Sequence, residues 1–541
     1  YLWVDDELMM FGGVDANGHF TEVERGALGT KAATHAADAE VRQLKAYFYY
    51  FSVKPGSTLF YEVARRTAEL YNALDLDLFY LDAIDGTFIL DGEDYVWYHA
   101  MDFVREMFKH LKSDPVFDCC YNPQYTGTWY VRSRYGAVDR ARIGYEEQID
   151  AHVQYNNTTA RRMGVTPELG WFDLYPAAPQ ADFYWQTMPV HEEHIAYLYG
   201  KLMATDATPA FLESLWIRRD LPVMEKYAAL LRHYEDWRSE HKLSAAARRY
   251  LAGDRAQSWL DGEDLRKASF TRYRFEHLGD TCQVANAFSP QRPMLRIENL
   301  FTAADYDTPE GIVLADFDER EPAGERRIVF PKPVDARGLR GIGVWAKGDN
   351  GGGLLCLRLR NLTASSRRHG DHFIRNDFTG WRYFALYENQ NAEPLDWPRV
   401  DINYRIYEDL QEFYGHYASF LDYATLEALD VLYRGGGTMY LKAVKLLPQR
   451  APELVRPTLA IGDQQVIFDT SLAAGRMLTF SPEGEAQVID TQGIVYDHPR
   501  IIGTVPQIDQ GISAMTLTAE GHLPCRTLVK LGLLGESLSE A

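Results

Sequence analysis

Apolar, strand-like runs alternate with helix-like stretches between residues 44 and 245. The strand-like runs lie at residues 44–51, 76–82, 116–121 and 166–172. Apolar residues recur at near-helical spacing over residues 57–74, 95–111, 145–163, 190–204 and 222–241, and Ser57 is a predicted N-cap of the first helix. Strands that alternate with helices of this length are typical of βαβ units on a parallel sheet.

This alternation predicts a (β/α) barrel of the TIM type over residues 44–245. About four β/α units are evident in the sequence, whereas a closed barrel has eight. A half barrel would expose its core, so we expect either units that precede residue 1 or strands with a weaker pattern, for example in 205–217. The chain opens inside a strand-like pattern without Met, and we expect that its natural N-terminus is missing.

The rest of the chain is predicted to be rich in β-structure. Residues 1–43 read as a small β unit, and residues 246–310 read as a β-rich connecting region. In residues 311–448, short strands separated by Gly, Pro and Asp turns predict a β-sandwich or jelly roll. Pro448, Pro452 and Pro457 mark a linker. Residues 456–541 then form a predicted small C-terminal β domain.

Residues 76–86, LDLFYLDAIDG, end an apolar run on acidic side chains. A carboxylate at the C-terminal end of a barrel strand lies where such barrels build their active sites. Burying it is costly without compensation, which favours a chemical role for Asp82. The alternative is a helix N-cap that follows the strand. Asp85 precedes Gly86 and is more typical of a turn, although it could also contact a substrate.

Other polar and aromatic side chains follow the later predicted strands, and the ends of parallel strands share one face. Substrate-binding candidates are Asp85, Tyr121, Asn122, Trp129, Arg132, Arg134, His152 and Trp171. Glycoside hydrolysis needs two carboxyl groups, one as the acid and one as the nucleophile or base. Asp82 is the predicted nucleophile or base, and Asp173 and Glu168 compete for the acid role.

Two other functions are alternatives to hydrolysis, and the arginines suggest the first of them. Guanidinium groups bind carboxylates and sulfates, so Arg132 and Arg134 could recognise a uronic or sulfated sugar. Surface ion pairing with Asp139, Glu146 and Glu147 is the favoured interpretation of these arginines. A polysaccharide lyase would then use Tyr121 or His152 as the base. A glycan-binding protein without activity is the third reading. Residues 191–194, HEEH, have a spacing that can ligate a metal, but a solvated helix start is the favoured reading and no metal site is predicted.

The composition of the chain limits the classes of binding partner that we expect. The 541 residues carry a net charge of −21, which argues against nucleic acid and against anionic membranes. No apolar run approaches 18 residues, so no membrane span is predicted. The 34 Tyr and 11 Trp suit stacking on flat apolar faces such as sugar rings, although large β-rich proteins are often rich in Tyr. Five Cys give no disulfide framework.

The YLDAIDG strand end, followed by a helix and later by a GWFD strand end, resembles glycoside hydrolases that join a (β/α)8 barrel to trailing β-sandwich domains. The α-galactosidase-like group is the most similar. The resemblance implies Asp82 as the nucleophile and Asp173 as the acid/base, a poly- or oligosaccharide substrate and no required cofactor. A polysaccharide-degrading enzyme would be secreted or periplasmic.

The segments GLRGIGVWAKGD and FTGWRYF within residues 311–448 resemble galactose-binding-like jelly rolls. Such modules accompany many carbohydrate-active enzymes. The resemblance implies one of three roles for this domain: it binds glycans, holds a structural calcium, or only packs on the catalytic domain. Fold analogy alone does not decide among them.

Overall fold

A computed structural model of the chain describes residues 1–47, 50–81, 93–113, 116–119, 146, 149–150, 153–154, 168–174, 190–212, 221–275, 277–362, 369–387, 421–520 and 526–539. Strands make up 44% of the structure and helices 20%. The described residues contain five α-helices. This composition does not fit a (β/α)8 barrel, so the prediction of a TIM-type barrel, and the barrel implied by the α-galactosidase-like resemblance, are wrong. The chain divides into two compact units, residues 1–137 with 155–168 and residues 138–154 with 169–541.

The first unit begins with short antiparallel strands. They are β1 (Leu2–Val4), β2 (Glu7–Met9), β3 (Gly13–Val14), β4 (Phe20–Thr21), β5 (Val41–Gln43), β6 (Ala46–Tyr47) and β7 (Tyr50–Phe51), with a 3₁₀ turn at Ala27–Gly29. Strands β2, β1 and β5 form one sheet. Glu7 is buried in it and accepts hydrogen bonds from Arg25 Nε at 2.6 Å and Nη2 at 2.7 Å. These bonds hold the pKa of Glu7 well below its usual range.

A helix–strand segment follows in the same unit. It comprises α1 (Thr58–Leu74), β8 (Leu78–Leu81), α2 (Glu93–Phe108) and β9 (Val116–Cys119). The predicted N-cap is confirmed, since Ser57 Oγ accepts the Phe60 N–H at 3.2 Å. Strands β8 and β9 are parallel. Ala64, Ala68 and Leu81 pack with Val104 and Met107 in a common core, so the local βαβ pattern is present although a closed barrel is not.

The second unit contains the remaining helices and two further strands. These are β10 (Glu168–Asp173, whose first residue belongs to the first unit), α3 (Glu192–Thr205), β11 (Thr208–Leu212), α4 (Pro222–Glu240) and α5 (Ala245–Leu251). Helix α3 is buried along most of its length. Tyr199 of α3 stacks on Tyr234 of α4, with ring centroids 5.0 Å apart. The same core includes Leu260 and Leu265, so the helices pack directly on the first β-strands that follow them.

Two large antiparallel sheets enclose a second core of this unit. The seven-stranded sheet has the order β12–β13–β35–β15–β30–β31–β32, and the other sheet has the order β14–β34–β27–β28–β33, with β29 beside β27. The strands are β12 (Gln257–Asp261), β13 (Asp264–Phe275), β14 (Thr281–Asn286), β15 (Met294–Asn299), β27 (Glu453–Ile461), β28 (Gln464–Asp469), β29 (Ser471–Ala473), β30 (Arg476–Phe480), β31 (Ala486–Asp490), β32 (Val495–Asp497), β33 (Arg500–Gly503), β34 (Gly511–Glu520) and β35 (Thr527–Ser537). Each of the two sheets therefore combines strands that precede residue 300 with strands that follow residue 452.

A second pair of sheets lies between these two segments in the sequence. One has the order β17–β25–β19–β22 with β24 beside β19, and the other has the order β18–β23–β20–β21. The strands are β17 (Ile312–Ala315), β18 (Arg326–Val334), β19 (Gly341–Asp349), β20 (Leu354–Arg360), β21 (His369–Arg375), β22 (Thr379–Tyr387), β23 (Leu426–Arg434), β24 (Tyr440–Leu441) and β25 (Val444–Leu447). The short pair β16 (Thr302–Ala303) and β26 (Gln449–Arg450) joins the entering and leaving chain.

The two sheets of this second pair share one core. Ile342, Val344 and Ala346 of β19 are fully buried there together with Leu355 and Leu357 of β20. Alternate residues of the same strands point to the opposite faces of their sheets.

None of the helices that the structure describes is long and apolar enough to cross a membrane.

Candidate functional site

Most of the predicted catalytic and binding residues lie outside the described part of the chain. Asp82, Asp85, Tyr121, Asn122, Trp129, Arg132, Arg134 and His152 are in this group. Glu168, Trp171 and Asp173 lie on β10, of which the backbone is described and these three side chains are not. Strand β8 ends at Leu81, the residue before Asp82, and Asp173 is the last residue of β10. The pairing of Asp82 with Asp173 or Glu168 therefore stays a prediction.

The HEEH segment at the start of α3 does not form a solvated helix start. Glu193 is buried, and Arg296 of β15 donates to both of its carboxylate oxygens, at 2.8 and 3.1 Å. Lys530 Nζ of β35 lies 2.7 Å from the same carboxylate. Arg296 Nε also donates to Glu298 at 2.8 Å. The solvated reading is therefore wrong for Glu193, which ties helix α3 to the seven-stranded sheet.

The two histidines of this segment share the buried site. The His191 backbone N–H donates to His194 Nδ1 at 3.1 Å. Burial and the nearby cations Arg296 and Lys530 keep the pKa of both imidazoles well below the ordinary histidine value. The pKa of Glu193 is also held low, by Arg296 and Lys530 against the effect of its burial. Since Arg296 and Lys530 already pair with Glu193, this cluster fixes helix α3 to the seven-stranded sheet. The described residues contain no group of three or more His, Cys, Asp or Glu that could hold a metal ion.

A different cluster lies on the outer side of the β19 sheet. Here aromatic rings and lysines alternate across strands β22, β19 and β24. We call this surface the aromatic face and define it by Tyr306, Trp345, Lys347, Trp381, Tyr383, Tyr440, Lys442 and Lys445. Lys347 is exposed, and the other seven side chains are half-buried. The face therefore has apolar ring surfaces that solvent still reaches.

Strand register explains why these side chains meet. Trp345 is opposite Tyr383, and Lys347 is opposite both Trp381 and Tyr440. Directly opposed residues of antiparallel strands point to the same side of the sheet. The alternate residues of these strands point into the core, and Val344 and Ala346 are fully buried there. The period of two along β19 and β22 thus places one apolar set inside and the aromatic set outside.

The rings and ammonium groups of the aromatic face are in direct contact. The Trp345 and Tyr383 ring centroids are 5.6 Å apart, and those of Tyr306 and Tyr383 are 5.8 Å apart. Lys442 Nζ lies 4.9 Å from the Trp381 ring centroid, and Lys347 Nζ lies 5.6 Å from that of Tyr440. These distances are typical of cation–π contacts.

One end of the aromatic face is covered and the other is open. At the covered end, Tyr306 lies over Gly343 and donates its hydroxyl to the Ala443 carbonyl at 2.7 Å. Lys445 Nζ lies 3.9 Å from the Tyr306 ring centroid and donates to the Tyr306 carbonyl at 3.0 Å. Burial raises the pKa of Tyr383 to about 12, with a further contribution from Asp305. Tyr383 is therefore neutral at physiological pH.

The open end consists of Trp381, Tyr440, Lys347 and Lys442. Lys442 pairs with Glu319 at 3.3 Å, and both side chains are partly exposed. Lys347 makes no ion pair with any residue that the structure describes. Flat apolar surfaces beside ammonium donors can bind a ligand that has an apolar face and polar or anionic edges.

The aromatic face was not among the sites predicted from the sequence. The signal was present, because Trp345 and Lys347 alternate with core residues in GIGVWAKGD, and Trp381 and Tyr383 do so in TGWRYFALY. The sequence does not reveal that β24 pairs with β19, which places Tyr440 opposite Lys347, almost 100 residues earlier in the chain. A structural calcium in this domain was one implication of the resemblance, and no acidic metal-binding group occurs among its described residues.

No protein-family model matches the sequence. No curated protein matches it either. Among solved structures, the chain is similar to isomalto-dextranase from Arthrobacter globiformis T6 complexed with panose, at 10% identity over 71% of this chain and 72% of that chain, with a TM-score of 0.22. It is also similar to a protein from Parabacteroides distasonis ATCC 8503, at 10% identity over 50% of this chain and 94% of that chain, with a TM-score of 0.11. TM-scores of this size do not establish a shared fold.

Proposed function

We propose that the chain is a carbohydrate-active enzyme that hydrolyses glycosidic bonds and binds its poly- or oligosaccharide substrate on the aromatic face. The observation that carries the proposal is the solvent-accessible row of Trp345, Trp381 and Tyr440 on one side of a β-sheet. Monomeric proteins seldom leave such side chains together at the surface without a binding role. Sugar rings have flat C–H faces that stack on indole and phenol rings.

The proposed chemistry rests on paired carboxylates. Asp82 is the proposed nucleophile or base, and Asp173 or Glu168 is the proposed acid. Two backbone features support these choices. Asp82 directly follows β8, which is parallel to β9, and Asp173 ends β10. The carboxyl ends of parallel strands such as β8 are common positions for ligand-binding and catalytic groups. The acid would protonate the leaving oxygen while the other carboxylate attacks the anomeric carbon or activates water.

Activity on a panel of neutral and uronic polysaccharides tests the chemistry. We expect new reducing ends without the ultraviolet absorbance of an unsaturated uronate. Asp82→Asn should lose roughly 10²–10⁴-fold in rate while the chain remains folded. Asp77→Asn is a matched control, because Asp77 is an exposed carboxylate just before β8.

Three results would contradict this chemistry. Wild-type turnover by Asp82→Asn removes Asp82 from the mechanism. New ultraviolet absorbance with the uronic polysaccharides identifies a lyase instead of a hydrolase. Binding of glycan without any product identifies a glycan-binding protein without activity.

A separate measurement tests the aromatic face as the glycan-binding surface. Trp381→Ala should weaken retardation in affinity electrophoresis with the glycans that the wild type binds. Trp259→Ala is less suitable as a control because Trp259 packs on the helical core. Tyr496→Ala is preferable, since Tyr496 is exposed on β32, in a different sheet. Equal retardation of Trp381→Ala and wild type would exclude this face from binding.

A further inference from the structure

The lysines of the aromatic face are unevenly engaged along its length. At the covered end Lys445 donates to a backbone carbonyl and lies 3.8 Å from Asp307. Among the described residues at the open end, Lys442 has one ion pair, with the exposed Glu319, and Lys347 has none. Positive charge available to a ligand is therefore concentrated beside Trp381 and Tyr440.

This local charge contrasts with the rest of the chain. The protein has a net charge of −21, so an anionic ligand would be repelled by most of its surface. Asp305 and Asp307 lie near the covered end, beside Tyr306 and Tyr383. An acidic ligand is thus favoured at the open end over the covered end, although Glu319 lies beside Lys442 there.

The positions of the ammonium groups distinguish a charged sugar from a neutral one. Lys442 lies over the Trp381 ring, and Lys347 lies over the Tyr440 ring. A neutral sugar that stacks on either ring competes with these cation–π contacts. A sugar with a carboxylate or sulfate compensates for the displacement, because the same ammonium groups then pair with the anion at its edge.

We propose that the open end of the aromatic face binds an anionic sugar residue, a uronate or a sulfated sugar, between Lys347 and Lys442 and against Trp381. This inference rests on the proposed glycan-binding function and specifies its ligand class. The carboxylate or sulfate lies at the Lys347 and Lys442 ammonium groups. The apolar face of the sugar lies on the indole, and the uncharged remainder of the glycan extends towards Tyr383.

Pairs of glycans that differ only in charge separate the contribution of the anionic group from that of the sugar chain. Binding of the full chain is measured by titration calorimetry with polygalacturonate and its methyl ester, and with dextran sulfate and dextran. We expect each anionic form to bind more tightly than its neutral form, and the difference to shrink as salt rises. Preference within only the polygalacturonate pair identifies the carboxylate, and preference within only the dextran pair identifies the sulfate.

Charge-removing variants then locate the anion. Lys347→Gln and Lys442→Gln should each weaken anionic binding roughly two- to fivefold, as expected for exposed ion pairs, and leave neutral binding unchanged. Lys332→Gln is the control, because Lys332 is an exposed lysine on β18 of the other sheet. Trp381→Ala should weaken anionic and neutral binding alike.

The results separate failure of the inference from failure of the proposed function. Equal binding of acid and ester and of sulfated and plain dextran, with no effect of the lysine variants, overturns the anionic assignment and leaves glycan binding in place. A loss of anionic binding with Lys332→Gln equal to that with Lys347→Gln also overturns it, because the attraction is then not local. Absence of binding to all four glycans overturns the anionic assignment, and the activity panel with Asp82→Asn decides the proposed function separately.

Discussion

Arg296 holds both carboxylate oxygens of Glu193, at 2.8 and 3.1 Å, and so joins the first turn of α3 to the middle of a seven-stranded sheet. Lys530 on the neighbouring strand lies 2.7 Å from the same carboxylate. All three side chains are almost fully shielded from solvent. Buried ion pairs of this kind add little net free energy, but removal of one partner leaves charge without compensation.

Glu193→Gln should therefore destabilise the protein by about 3 kcal/mol or more. The amide keeps the shape of the side chain but leaves Lys530 without its buried counter-charge, while Arg296 keeps only Glu298. Glu192→Gln is the matched control, since Glu192 is the adjacent residue and pairs with Lys226 at the surface. It should change the free energy of unfolding by less than about 1 kcal/mol. Urea unfolding followed by tryptophan fluorescence measures both, and equal midpoints would show that the buried pair is not required.

Stability should fall in two steps as pH decreases. The folded-state pKa values of His191 and His194 lie below the ordinary 6.5, so their contribution is complete above 6.5 and is lost as pH falls below it. Protonation also prevents His194 Nδ1 from accepting the His191 N–H. The pKa values of Glu193 and Glu298 lie below 4.5, so their contribution persists down to 4.5 and is lost at lower pH.

A double variant separates the two steps. His191→Gln with His194→Gln removes the groups that titrate in the upper window and leaves the carboxylates in place. Unfolding by urea at several pH values between 7.5 and 4 should then show a flatter dependence between 6.5 and 4.5. The decline below 4.5 should remain. An unchanged slope in the upper window would assign the histidine effect to other groups.

The sequence predicts individual elements better than their assembly. Predicted helices at residues 57–74 and 222–241 correspond to Thr58–Leu74 and Pro222–Glu240. Helix boundaries follow from local signals, such as the Ser57 cap and the proline at the start of α4. Closure of a barrel depends on strand pairing, which local periodicity does not encode. The same limit hid the pairing of β13 with β35, which joins residues more than 250 apart.

The candidate sites differ in the same way. Carboxylates at strand ends are visible in sequence, because an apolar run that stops at an acidic residue is a local pattern. Glu193 gives no such signal, since its partners Arg296 and Lys530 lie more than 100 and 300 residues further along the chain. A helix-start glutamate is usually solvated, and only tertiary packing reverses that expectation.

Two tyrosines of β22 should respond oppositely to loss of the hydroxyl. The Tyr383 hydroxyl is buried and has no hydrogen-bond partner among the described residues. The Tyr387 hydroxyl donates to the Thr302 carbonyl. Tyr383→Phe should thus leave stability unchanged or raise it by up to about 1 kcal/mol, whereas Tyr387→Phe should lower it by about 1 kcal/mol. Thermal unfolding of both variants measures the difference, and a loss of stability with Tyr383→Phe would indicate a hydrogen bond to that hydroxyl.

Gly343 is the residue that allows Tyr306 and Leu447 to pack at the covered end of the aromatic face. A Cβ at this position would lie 2.5 Å from Leu447 Cδ1 and 3.2 Å from both the Tyr306 ring and the Tyr383 hydroxyl. Gly343→Ala should therefore cost about 1–3 kcal/mol through overpacking. It should also displace the rings and weaken any glycan binding that depends on them.

Gly324→Ala provides the control for Gly343→Ala. Gly324 lies in the same domain, has no heavy atom within 4 Å of an added Cβ, and does not have a positive φ. The alanine should leave the free energy of unfolding unchanged or raise it slightly, because it only restricts the unfolded chain. Comparison of the two variants by urea unfolding isolates the steric effect at Gly343 from the backbone effect of replacing a glycine. Equal stability of both variants would mean that β19 shifts to accept the methyl group, so that the close packing of Tyr306 and Leu447 on Gly343 does not set the position of the rings.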